Sequence, residues 1–161
     1  MALGSFLAMA ALSLNMQAGK SGQFSMEEAA ECAAIYAFTL DAMRSSTDIP
    51  ANIRMRVRDG LASWEYELSA SAPNARPETL QTAADNAVQL VRDNLPEGQG
   101  ADAAAARGDF LTAGTEFCAA KIASVYGDQE HPVIPFLRQS DAEAGLPVPM
   151  PVSQSGGRGL R

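Results

Sequence analysis

Few residues in the chain could do chemistry, so the order in which they can be discounted is informative. Asp128, Glu130 and His131 form the single cluster holding one of each common hard-ligand type. A hard cation could sit there, but the chain has one histidine, so no second imidazole completes a common transition-metal set. This cluster reads as a solvated helix exit. Glu27, Glu28 and Glu31 are a second carboxylate group. Acid–base catalysis needs carboxylates in contrasting environments, whereas three glutamates in the first turns of one helix complement its positive dipole end. The sequence contains no Gly-x-Ser-x-Gly, no P-loop and no Gly-x-Gly-x-x-Gly. The lone His131 would have to serve any Ser–His or Cys–His pair. The expectation is a chain that is not an enzyme and carries no catalytic, cofactor-binding or metal-binding residues.

Cys32 and Cys118 are the only cysteines, and they are expected to pair. Each falls on the apolar stripe of a helix, the first and the fourth. Cys32 lies seven residues after the first helix's cap, about 10 Å along the axis, and Cys118 eight residues before the fourth helix's end, about 12 Å. In an up-down bundle of four helices the first and last run antiparallel as neighbours, which brings the two sulfurs level.

Arg44, Arg54, Arg56 and Arg58 make a local basic group in an acidic chain. On a helical wheel Arg54 and Arg58 flank one edge of the second helix's stripe and Arg56 the other, so the four do not form one patch and arginine stems read as cover for the core edges. Ile35 and Phe38 on the first helix, and Met55 and Tyr66 on the second, fall off the inner faces. They are the expected interaction surface.

The elements that carry these residues follow from composition and periodicity. The chain has 161 residues, 47% of them hydrophobic, with aromatics at only 6%. Thirty alanines supply much of that hydrophobic content, and a chain so poor in β-branched and aromatic residues is not a sandwich or barrel. Net charge is −7, the wrong sign for tracking nucleic-acid phosphates. The spacing predicts four helices. The first opens at the capping-box sequence Ser25-Met-Glu-Glu28 and runs to about Arg44. The second follows Pro50 to about Ala70, on the stripe Ile53, Val57, Leu61, Trp64 and Leu68. Gly60 interrupts that stripe, as a weak point or as room for a neighbouring helix. The third runs from Pro77 to about Leu95, and the fourth from about Ala103, capped by Asp102, to Tyr126, with Gly127 closing it. His131 to Leu137 is apolar but broken by Pro132 and Pro135, and is expected to lie extended over the bundle.

Leu3 to Leu14 is an uncharged apolar run of signal-peptide length, too short for a span of about 20 residues. Small Ala18 is the expected last residue before cleavage. The predicted organisation is a signal peptide over 1–18, a helical bundle over 19–137 and a Pro/Gly-rich flexible tail over 138–161. The predicted fold is all-α, a small antiparallel four-helix bundle with an extended Pro-rich tail and one disulfide between first and last helices. The expected role is that of a periplasmic or secreted protein acting through an unknown protein partner, as accessory subunit, adaptor, inhibitor or chaperone. No nucleic acid and no stable membrane span after cleavage are expected. The alternative is a carrier of a small apolar ligand in the bundle core.

Overall fold

A computed structural model describes residues 22–145. The expected signal peptide and the Pro-rich segment from 146 onward lie outside the described residues. The described chain is all-helical, with five helices in place of the four expected: α1 Met26–Arg44, α2 Ala51–Ser71, α3 Pro77–Asn94, α4 Ala101–Tyr126 and α5 Ile134–Glu143.

The capping box forms as the sequence implies. The Glu28 N–H donates to the Ser25 hydroxyl and the Ser25 N–H to the Glu28 carboxylate, satisfying two of the unpaired N–H groups at the helix start. Pro77 occupies the first turn of α3, where its missing N–H costs nothing. Two starts are shifted by a residue or two. Pro50 is the residue before α2 rather than its first, and α4 begins at Ala101 with Gly100 at its cap and Asp102 inside the first turn.

α5 corrects the expectation of an extended 131–137 segment and of a tail beginning at 138. Pro135 does not break this helix, because it sits in its first turn. That is the position at which Pro77 is tolerated in α3. Residues 138–143 are therefore helical, and Asp141 is buried against α2. The Arg58 guanidinium grips its carboxylate with two bonds, Nη2 to Oδ2 at 2.7 Å and Nη1 to Oδ1 at 3.1 Å.

The arrangement also differs from a ring of four. α1 is the axis of the fold, with α2, α3 and α4 packed on it, and α5 lies on α2. It can be central because its flanks are small. Ala29, Ala30, Ala33 and Ala34 are all buried with Cys32 and Tyr36, so other helices approach from several sides. The pairing of α1 with α4 is antiparallel. Glu28 meets Lys121, Cys32 meets Cys118, and Ile35 and Tyr36 meet the neighbouring Gly114 and Thr115, so the contacts move down α4 as they move up α1. The Cys32 and Cys118 sulfurs lie 2.01 Å apart, at disulfide distance, with their Cα atoms 5.7 Å apart.

Gly60 is room for a neighbour. A Cβ there would stand 2.8 Å from Cδ1 and 2.6 Å from Cζ of Tyr36, and closer still to Cε1. The ring cannot swing away freely, since Tyr36 is buried and its hydroxyl donates to the Thr115 carbonyl at 3.2 Å. Gly60→Ala gains about 1 kcal/mol of helix propensity, but overpacking a core costs about 1–3 kcal/mol. The variant is expected to unfold at lower denaturant than the parent, and urea melts measure the difference. Truncation after Gly145, by contrast, is expected to leave the melting temperature within a few degrees of the full chain's, since the sequence beyond it, with Pro147, Pro149 and Pro151 and then a glycine-rich run, has no periodic apolar face.

Candidate functional site

The most unusual polar group in the structure is Glu67. It lies on α2 in the row Gly60, Trp64, Glu67 and Ser71, spaced four, three and four apart, at the edge of the stripe packed on α1. Its side chain is 0% exposed. An isolated carboxylate buried this way would be severely penalised, so its partners decide whether the site exists at all.

Three segments distant in sequence supply them. The Tyr126 hydroxyl, at the end of α4, donates to Oε1 at 2.5 Å. The Nε2–H of His131, between α4 and α5, meets the same oxygen at 3.0 Å. The Gly22 backbone N–H donates to Oε2 at 3.3 Å. Burial alone would raise the Glu67 carboxyl, but His131, Tyr126 and Gly22 together hold it below its ordinary range. The Tyr126 phenol is pushed up, by burial first and then by its bond to the carboxylate.

His131 is fixed at both nitrogens. A carboxylate can only accept, so Nε2 must carry the proton. Nδ1 in turn accepts from the Val133 N–H at 3.3 Å. Tyr66 and Tyr126 pack edge-on against the ring, with centroids at 5.4 and 4.7 Å. In a carboxylate–imidazole pair that activates a nucleophile, the second ring nitrogen faces the nucleophile. Here a backbone amide occupies that position, and His131 is buried. The pair is thus closed to general-base work and acts as a clamp. It ties α2, the end of α4, the connection to α5 and the lead-in to α1. That lead-in is fixed twice, because Phe24 packs on Trp64 with ring centroids 4.7 Å apart.

The residues singled out from sequence are dispersed. His131 is drawn inward, while Asp128 and Glu130 stay exposed, and Glu130 pairs with Arg138 at 2.5 Å. Among the described residues no group of three or more His, Cys, Asp or Glu gathers as a metal site. Glu28 turns to Lys121 on α4, whereas Glu27 and Glu31 line a groove of about 490 Å³ between α1 and α3. Arg54 donates to the Ser46 carbonyl at 2.6 Å, Arg58 holds Asp141 and Asp59, and Arg44 makes a long exposed pair with Asp41.

The four residues read as an interaction surface are half-buried in four settings. Ile35 packs over Gly114, Phe38 against the core, Tyr66 against His131, and Met55 sits half-buried on α2. The large apolar side chains that stand out among the described residues are others: Phe117 on α4 at 60% exposure, Leu90 on α3 at 47% and Phe136 on α5 at 39%. The row spacing that carries Glu67 was the available signal for the clamp, but a single glutamate at the edge of a stripe does not announce its partners.

One further carboxylate is perturbed. Glu65 is half-buried on α2, and burial raises it to about 7. A carboxyl raised in the folded state favours folding while protonated, so its contribution is full below its unfolded value of about 4.3 and is lost as pH rises through about 7. Glu65→Gln removes that loss. Thermal melts should match the parent at pH 4 and exceed it by a few degrees at pH 8, on the order of 1 kcal/mol after solvent screening.

No protein-family model, curated protein or solved structure matches the chain.

Proposed function

We propose that this is an exported, non-enzymatic helical protein that works through contacts with another protein, as an accessory subunit, adaptor, inhibitor or chaperone. The observation that carries this reading is Phe117, 60% exposed on α4 with the Lys121 ammonium 4.8 Å from its ring centroid. A large aromatic held outward beside a cation is the kind of anchor that protein interfaces use. The closed state of the Glu67–His131 pair supports a role at the surface rather than in an interior reaction site. The cysteine pair at disulfide distance is compatible with an oxidising compartment. No helix among the described residues is long and apolar enough to cross a membrane.

The alternative, an apolar ligand held within the bundle, has less support. Tyr36 fills the space over Gly60, Ile35 fills that over Gly114, and Trp64 is completely enclosed. A photo-crosslinking residue at position 117, used in the native host, is the test. The reading requires one specific cross-linked protein whose capture falls when an exposed neighbour such as Glu116 or Ala120 is changed to arginine. A monomer with no cross-link, or a small molecule retained in the native mass, would contradict it. The intact mass from the same preparation is expected to place the N-terminus at Gly19.

A further inference from the structure

We propose that the groove between α1 and α3 seats the chain's own segment 146–161. The groove has an apolar floor and an acidic rim. Ala87 is buried at its base and Leu90 stands 47% exposed along it. Glu27 and Glu31 border it from α1 and Glu78 from α3, facing a single guanidinium, Arg76. Among the described residues none of these three carboxylates has an ion-pair partner, whereas their neighbour Glu28 is committed to Lys121.

The segment carries the complementary chemistry. Its only charged side chains are Arg158 and Arg161, and Leu160 stands between them. That is an apolar residue flanked by cations, for an apolar floor flanked by carboxylates. Pro147, Pro149 and Pro151 restrict the chain before binding, which lowers the entropy lost on docking. The reach suffices. Sixteen residues extend up to about 50 Å, and a body the size of residues 22–145 has a radius of gyration of roughly 14 Å, so a diameter of about 35 Å. The seat holds the segment by exposed charges, so the contact is weakened by salt and adds little to folding stability. It also covers Leu90, leaving Phe117 on α4 open, so the two surfaces are separable.

The test places a benzoylphenylalanine cross-linker at Leu90 of the full chain at low salt, with Thr112 on α4 as the control position. Peptides from 146–161 are expected among the products in at least threefold excess over the control. Reversing charge in Arg158→Glu with Arg161→Glu should remove that excess, as should 1 M sodium chloride. Adding Glu27→Arg with Glu31→Arg to the reversed segment should restore it. Mixing heavy- and light-isotope chains separates docking within a chain, which the proposal requires, from docking between copies, which would overturn it. Equal yield at Leu90 and Thr112, or an excess indifferent to charge reversal, overturns the proposal. If the probe at Leu90 unfolds the protein, the same comparison at exposed Thr82 on the same groove applies.

Discussion

Glu67→Ala is expected to remove about 2–5 kcal/mol of folding stability, because two buried donors and one at the surface lose the acceptor they share. Small domains have only about 5–15 kcal/mol in total, so the variant should be largely unfolded at moderate denaturant. The size follows from what is left behind. The Tyr126 hydroxyl and the His131 Nε2–H would remain buried with no acceptor, each such orphan costing about 1–3 kcal/mol, whereas the N–H of exposed Gly22 can turn to water. Glu67→Gln separates charge from shape. Its carbonyl oxygen can stand where Oε1 does, serving Tyr126 and His131, while its amide group faces the Gly22 N–H, donor against donor. The expected loss is about 1 kcal/mol, since both buried donors keep their acceptor and only the N–H of exposed Gly22 loses its own. Because the folded state holds Glu67 below its ordinary range, the ion contributes stability above the unfolded carboxyl value. That contribution drains as pH falls through and below the usual carboxylate range. Acid titrations of parent and Glu67→Gln should therefore converge at low pH, as followed by circular dichroism in fixed urea.

Replacing both Cys32 and Cys118 with alanine is expected to have the second large effect. The bridge closes a loop with a sequence separation of 86, for which the chain-entropy model gives about 4–5 kcal/mol and experience often less. The loss should be uneven. Of the 26 residues of α4, only Leu111, Cys118 and Tyr126 are buried, so that helix has little apolar surface with which to hold itself on α1. Once the bridge is gone, its attachment rests on Tyr126 at the clamp, Lys121 on Glu28, the Tyr36–Thr115 bond, Ile35 over Gly114 and the half-buried Phe110, Ile122 and Val125. Hydrogen exchange in the double variant should rise first along α4, before α1 and α2. Uniform loss of protection across all helices would mean that α4 is not the weakly held element. Combining the cysteine changes with Glu67→Ala should be worse than additive, because both remove restraints on the same helix.

The parts of the fold that could be read in advance are those determined locally. Ser25 and Glu28 specify the start of α1 by themselves, and Pro77 fits the first turn of α3 without help from the rest of the chain. The cysteine pairing was also legible, because helix length and direction are enough to bring two positions level. What escaped depended on tertiary context. α5 was hidden because Pro132 and Pro135 look like breakers until a helix is known to begin between them. The central position of α1 was hidden because a row of alanines has no pattern that says how many neighbours it will accept. Ile35 looked outward on a single-helix wheel, yet Gly114 on α4 opens a hollow that receives it. The clamp was the least legible feature. Glu67, Tyr126, His131 and Gly22 come from four parts of the chain, and each is unremarkable until the fold brings them together.

The closed state of that clamp is the central claim, and the tautomer of His131 tests it most directly. As the only histidine in the chain, His131 gives one pair of imidazole ¹⁵N resonances in a long-range ¹H–¹⁵N spectrum. The hydrogen bonds predict a single tautomer for the neutral ring, Nε2–H on Glu67 with Nδ1 accepting from the Val133 amide, and an Nε2 proton protected from exchange with water. Exchange between tautomers, a proton resident on Nδ1, or a ring open to solvent would contradict it, returning His131 to the residues free to do chemistry.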